Sequence, residues 1–342
     1  MVSYLVVHFG RHHSFEDFVD RFWKKAPEVT QQVVSTIFLF FASYAAPILL
    51  AQILTHLKLD LAMRGVALAI AAPLFIAMGL AVRNAKSRSL NTVPTWPLYS
   101  TGYALTAIGA MISFGDEQLA IYVLILNAIV YAASAYIFQQ AFWLYLSTVL
   151  TPIIALLMLH NSDRLETNYV AWIFIGLAYL YLLIGQIFDR SKKDENNIHP
   201  FAAPFYAPGF LLSATALAIS SSDRMLALQV YSAGVVLYAI SGWLFREALF
   251  IYPAAWLATV PYYLLITLTK LDTSLYGLAW LPLIILYIGL GRFVFHKRPL
   301  PPVGKGLLVE WLSHPATPLY LLAYSLSVSM ISLSYGFAVS LT

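Results

Sequence analysis

Displaced by 107 positions, this chain falls on itself. Residues 97–145 align with 204–252 without a gap, and 17 of the 49 positions are identical, against about one in ten expected for so biased a composition. Pro97, Tyr99, Gly102 and Leu105 meet Pro204, Tyr206, Gly209 and Leu212; Tyr131, Ala132, Ser134, Phe138, Ala141 and Tyr145 meet Tyr238, Ala239, Ser241, Phe245, Ala248 and Tyr252. An internal period constrains architecture before any single motif does. Here it runs through stretches of about twenty apolar residues, the length at which a helix crosses hydrocarbon.

Composition agrees. Hydrophobic residues make up 60% of the chain and charged ones 11%, where a soluble domain carries about a quarter charged. The segment before Val33 is charged throughout and does not read as a signal peptide. The first long apolar run, from Val33, would itself target the chain to the membrane. There is no cysteine, which excludes disulfides, thiolate metal sites and iron–sulfur clusters.

Eleven spans are predicted, near 33–57, 66–82, 97–114, 119–138, 141–160, 169–188, 205–220, 225–245, 249–269, 276–295 and 318–341. The expected fold is therefore an all-α polytopic membrane protein. Alternate loops differ in charge. The N-terminal segment, 83–96, 139–140, 189–204, 246–247 and 292–317 together hold 15 of the 20 Lys and Arg residues. The basic side faces the cytoplasm, which puts the N-terminus inside and, with eleven spans, the C-terminus on the opposite side.

The repeat unit is four helices and about 107–114 residues. An even helix count keeps successive units in one orientation, so the repeats are parallel. The expected divisions are a cytoplasmic segment 1–32, a half repeat 33–96, repeat units 97–203 and 204–314, and the first span of a further unit, 315–342. Each unit opens alike, on Pro97 and Tyr99, Pro204 and Tyr206, Pro318 and Tyr320, with Gly102 and Gly209 following in the first two. Proline ends a loop and fits the first helical turn. The tyrosine two residues on sits at headgroup depth. Pro47, Pro152 and Pro261 fall inside three corresponding helices and are read as a kink repeated for packing.

Residues 14–27 form a separate feature. Ser14 can cap a helix with Glu16 and Asp17 in its first turn and Lys24 and Lys25 in its last. Phe15, Phe18, Val19, Phe22 and Trp23 share one face. The expectation is an amphipathic helix, anchored by Phe15, Phe18, Phe22 and Trp23 in the membrane interface or on a neighbouring subunit.

Little in the spans carries chemistry. Their centres lack Asp, Glu, Lys and Arg, the residues that mark ion-coupled transport. Asn127 lies mid-helix, but its repeat counterpart is Gly234, so helix–helix hydrogen bonding is favoured over substrate contact. The eight histidines sit at span ends and in loops, where an interfacial role is favoured over haem or metal ligation. No HExxH, GxSxG, P-loop or dinucleotide fingerprint is present, and no cofactor follows from the residues. Small-residue runs such as Ala132-Ala133-Ser134-Ala135 and Ser232-Ala233-Gly234 permit close helix approach.

The reading is a non-catalytic membrane scaffold, anchor or assembly subunit of a larger membrane complex. Its expected partners are the lipid bilayer and either other membrane subunits or further copies of itself, not nucleic acid. A permease or channel with a path between repeat units is the alternative, and a haem- or pigment-associated bioenergetic subunit the second.

Overall fold

In a computed structural model the described residues are 28–85, 95–190, 199–245, 247–269, 275–295, 312 and 314–340, and among them every regular element is helical. The helices are α1 (Glu28–His56), α2 (Leu61–Ala85), α3 (Trp96–Ser113), α4 (Glu117–Phe138), α5 (Phe142–Asn161), α6 (Thr167–Arg190), α7 (Ala203–Ser220), α8 (Arg224–Phe245), α9 (Ala248–Leu268), α10 (Tyr276–Ala279), α11 (Leu281–Gly289) and α12 (Thr317–Ser340). The anchor residues Phe15, Phe18, Phe22 and Trp23 lie outside the described residues.

Local chemistry accounts for the helix ends. Pro97 and Pro204 occupy the first turns of α3 and α7, where a missing N–H costs nothing because that donor has no helical acceptor. Asp116 Oδ1 accepts the Leu119 N–H at 3.0 Å and Asp223 Oδ1 accepts the Leu226 N–H at 2.8 Å, capping α4 and α8 alike. At the other end, α1 and α5 close through left-handed residues, Lys58 (φ 53°) and Asp163 (φ 53°). The Leu59 N–H reaches Leu54 O and the Arg164 N–H reaches Leu159 O, consuming carbonyls that the last turn leaves over.

Nine helices among the described residues are long and apolar enough to cross a membrane, and the protein is a multi-pass integral membrane protein. Two expected spans fall short of that measure. In α3, Thr101, Thr106 and Ser113 dilute the apolar content, yet all three are buried; a helix shielded by its neighbours needs less apolar surface of its own. In α12 the apolar stretch runs over Thr317–Ile331. The second span, expected near 66–82, extends over Leu61–Ala85. The tenth is broken: α10 gives way at Trp280 to α11, and Leu290–Phe295 continues as a π-helical segment.

Pro47, Pro152 and Pro261 lie inside α1, α5 and α9. So do Pro73, Pro208 and Pro253. The three matching helices are also the least buried of the nine spans among the described residues, at 11%, 17% and 22% of their apolar stretches.

The chain divides into two compact units, residues 1–137 and 138–342. In the first, Leu68, Ala71, Ala72 and Leu105 form a core flanked by Leu50, Phe75 and Ile112. In the second, one core joins α6, α7 and α8 around Ile175, Tyr181, Tyr206, Val230 and Leu237. Another joins α9, α11 and α12 around Ile251, Ala255, Leu283, Tyr287, Leu319 and Leu322.

Candidate functional site

Helix pairs in a bilayer gain little from burying apolar surface, because lipid is as apolar as leucine; they associate by close backbone approach and interhelical hydrogen bonds. The sites that define this molecule are therefore the places where backbones come nearest, and those are where the repeated Pro, Tyr and Gly residues lie.

Helices α2 and α3 meet along Gly65, Ala69 and Ala72 on one side and Gly102 and Gly109 on the other. A Cβ on Gly65 would stand 2.7 Å from Gly109 O and 2.7 Å from Ser113 N; one on Gly109 would stand 2.8 Å from Gly65 O. The contact is backbone on backbone, and no side chain can be inserted. One turn from the loop, the Tyr99 ring occupies the space that Gly79 leaves, with Cε1 2.6 Å from a Cβ built there.

The same residue types recur at α6 and α7. Tyr206 fills the space above Gly185, and Gly209 faces Tyr181 Cβ (3.2 Å) and Ala178 O (3.5 Å). Where α12 meets the π segment, Gly291 receives the Tyr320 ring, Cε1 lying 2.9 Å from a Cβ built on the glycine. Pro97, Pro204 and Pro318 are all fully buried at these helix starts. The expected divisions at 96/97 and 203/204 fall in the first turns of α3 and α7, and 314/315 falls just before α12.

Around Tyr206 the contact acquires charge. Its hydroxyl donates to Asp189 Oδ2 at 2.9 Å, with Gln186 Oε1 at 3.2 Å as a second acceptor. Asp189 Oδ1 accepts the His199 backbone N–H at 2.6 Å. The His199 Nδ1 accepts the Phe201 N–H at 3.1 Å, and His314 Nδ1 accepts the Ala316 N–H at 3.2 Å. Both rings act as caps of the turn that enters the next helix, which places the neutral ring's proton on Nε2. Phe188 and Phe201 flank the His199 ring.

A second family of contacts joins hydroxyl groups across helices. Thr106 Oγ1 and Tyr131 Oη are 2.8 Å apart between α3 and α4; Ser213 Oγ and Tyr238 Oη are 3.0 Å apart between α7 and α8. Tyr103 donates to Ser134 Oγ at 2.8 Å. The Tyr181 hydroxyl reaches Thr148 O and the Tyr287 hydroxyl reaches Ala255 O, each at 2.7 Å. Asn127 Nδ2 donates to Thr106 O at 2.9 Å, across the helix pair. At its counterpart Gly234, Leu217 occupies the space, Cδ2 being 3.1 Å from a Cβ built there.

The pocket beside Tyr206, Gly209, Phe210 and Leu237 has no space for a water. At the opposite end of α2 an open depression of about 580 Å³ lies by Asp60 and Asp116, and Asp116 is engaged as the α4 cap. Among the described residues no three His, Cys, Asp or Glu side chains gather as a metal site would require.

The prolines, the tyrosines and the glycines of α3 and α7 stand out in the sequence, whereas their partners do not. Gly79, Gly185 and Gly291 recur every 106 residues, a signal that was there to be used. Asp189 had none, because its two donors arrive from a different helix and from the loop. The chain matches no family model, no curated protein sequence and no solved structure.

Proposed function

We propose that the protein is a non-catalytic scaffold or assembly subunit of a larger membrane complex, built from parallel four-helix repeats. It has eleven spans, α3 and α12 completing the nine, with the N-terminus in the cytoplasm and the C-terminus on the other side. The observation that carries this reading is the recurrence of one set of contacts at offsets of 106–107 residues. Gly79–Tyr99 and Gly185–Tyr206, Thr106–Tyr131 and Ser213–Tyr238, and the Asp116 and Asp223 caps form three such pairs. The hydroxyls of Thr106, Tyr131, Ser213, Tyr238 and Tyr206 are engaged between helices, and Asp116 and Asp223 cap their own helices. A transporter keeps polar groups facing a path for its substrate; a scaffold spends them on rigidity.

In this reading the packing module is offset from the sequence repeat by two helices. Modules run α1–α4 and α5–α8, followed by the three spans α9, α10 with α11, and α12, each set centred on a Gly–Tyr contact. The test is direct. Tagged full-length protein, extracted gently from its native membrane, should migrate with other membrane proteins as one assembly. A stable monomer that carries solute across liposomes would replace this reading with a permease.

A further inference from the structure

The polar layer between α3 and α4 can be followed proton by proton. Thr106 Oγ1 spends its one proton on Tyr103 O at 2.7 Å, so in the 2.8 Å pair with Tyr131 it is the tyrosine that donates. Tyr103 donates to Ser134 Oγ at 2.8 Å, and Ser134 donates onward to Val130 O at 2.7 Å. Asn127 Nδ2 donates to Thr106 O at 2.9 Å. That bond fixes which way the amide points, since the reverse would set two carbonyl oxygens against each other. These hydroxyl protons all run to a neighbour, and none is left for Asn127 Oδ1. The oxygen is buried and meets no hydrogen-bond donor among the described residues.

Asn127 lies midway along α4 and is 2% exposed. A buried carbonyl oxygen that gives up water and gains no donor bears its full desolvation penalty, and hydrocarbon supplies no donor in exchange. The α7–α8 pair avoids the problem. Ser213 donates to Phe210 O at 2.8 Å and receives the Tyr238 proton, while Gly234 carries no amide and Leu217 takes the space beside it. At α3 the place of Leu217 is held by Ala110, which lacks the three carbons that leucine carries beyond Cβ. A single water needs only about 10–15 Å³ of its own, provided that polar partners converge on it.

We infer that the α3–α4 layer is a binding site for one internal water molecule, which donates one proton to Asn127 Oδ1 and the other to Tyr131 Oη. The two acceptors are neighbours. Tyr131 stands one turn beyond Asn127 on the same face of α4, and both side chains converge on Thr106. Tyr131 has given its proton to Thr106 and can accept in return. Burial restricts the ligand to a molecule of one heavy atom, so a lipid hydroxyl or a glycerol does not qualify. The site belongs to α3–α4 alone, because its counterpart at α7–α8 has neither the amide nor the room. It holds whether the protein is a scaffold or a permease.

X-ray radiolysis turns a bound water into hydroxyl radical beside the side chains that hold it, and mass spectrometry locates the oxidised residue. In full-length protein in detergent, Tyr131 should be modified roughly tenfold faster than Tyr238, its counterpart in a layer that holds no such water. Both tyrosines are half-buried, so access from outside does not favour one of them. Ala110→Leu with Asn127→Gly copies the α7–α8 arrangement and should bring Tyr131 down to the rate of Tyr238. Equal rates in the unaltered protein, or a Tyr131 rate that the double change leaves as it was, overturn the proposal. Should the double variant fail to fold, a density map of the unaltered protein at a resolution that shows waters decides the matter. A peak within about 3.2 Å of both Asn127 Oδ1 and Tyr131 Oη is expected. No peak there, or Asn127 Oδ1 held by a protein donor, overturns it.

Discussion

Gly185 leaves open the space that the Tyr206 ring occupies, so that a β-carbon on the glycine would collide with the ring edge. The aromatic residue is 5% exposed and its hydroxyl is tied to Asp189, so it cannot swing aside without breaking that bond.

Gly185→Ala should therefore destabilise the protein by about 1–3 kcal/mol, the usual cost of overfilling a packed site. A lower thermal midpoint in detergent is the readout. Gly176 lies on the same helix with nothing within 4 Å of a built Cβ, and Gly176→Ala should be neutral or slightly stabilising, because alanine is the better helix former. Equal effects at the two positions would remove the ring contact as the cause.

Tyr206→Phe keeps the ring in place and deletes the donor to Asp189. A hydrogen bond to a charged group is worth about 1.5–3 kcal/mol, and the loss should appear as a lower midpoint. Asp189→Asn retains an oxygen acceptor and should cost less than Asp189→Ala, which removes the acceptor of the His199 N–H and leaves the Tyr206 hydroxyl with Gln186 alone.

The α3–α4 and α7–α8 pairs solve one packing problem in two ways. Ala110 with Asn127 in the first stands where Leu217 with Gly234 stands in the second. Asn127→Gly alone should leave a void and Ala110→Leu alone should overfill the site. Together they should recover stability, with a coupling of about 0.5–3 kcal/mol in a double-mutant cycle. Simple additivity would mean that the two positions do not face each other.

Orientation is open to thiol labelling on the cysteine-free background. A cysteine at Ser191 should react only from the cytoplasmic side and one at Ser162 only from outside. Reaction of both from one side rejects the topology derived from loop charge.

For the N-terminal segment, Phe18→Asp with Phe22→Asp should expose residues 14–25 to protease while the spans remain inserted. If the wild-type segment lies on headgroups, its protection should weaken as salt rises, since Arg21, Lys24 and Lys25 would be screened over a Debye length of about 10 Å at 0.1 M. A protein-covered segment should be indifferent to salt.

Much of the helical layout was legible because each cue is local. Apolar length marks a span, and Pro97 and Pro204 announce helix starts within one turn. For Tyr99, Tyr206 and Tyr320 the sequence suggests headgroup anchors and does not reveal their glycine seats, which lie on other elements at spacings of twenty or more residues that have no helical meaning. Asn127 was read as an interhelical donor and donates to Thr106 O; its charge-free surroundings left few other roles. The break at Trp280 and the π segment after Gly289 carry no signature that periodicity detects. The cluster of Gln186, Asp189 and His199 around Tyr206 depends on a loop closing, which composition does not report.

The backbone contact between Gly65 and Gly109 also sets an order of events at the ribosome. When α2 has left the translocon, its row of Gly65, Ala69, Ala72 and Gly79 is a bare groove until α3 arrives to fill it. About thirty residues must still be made before Ser113 emerges, which at about 5–20 residues per second is on the order of seconds. Through that interval the groove faces whatever is nearby, lipid or another nascent segment. A pause in synthesis within residues 86–95 would lengthen the wait and with it the time the groove stays uncovered.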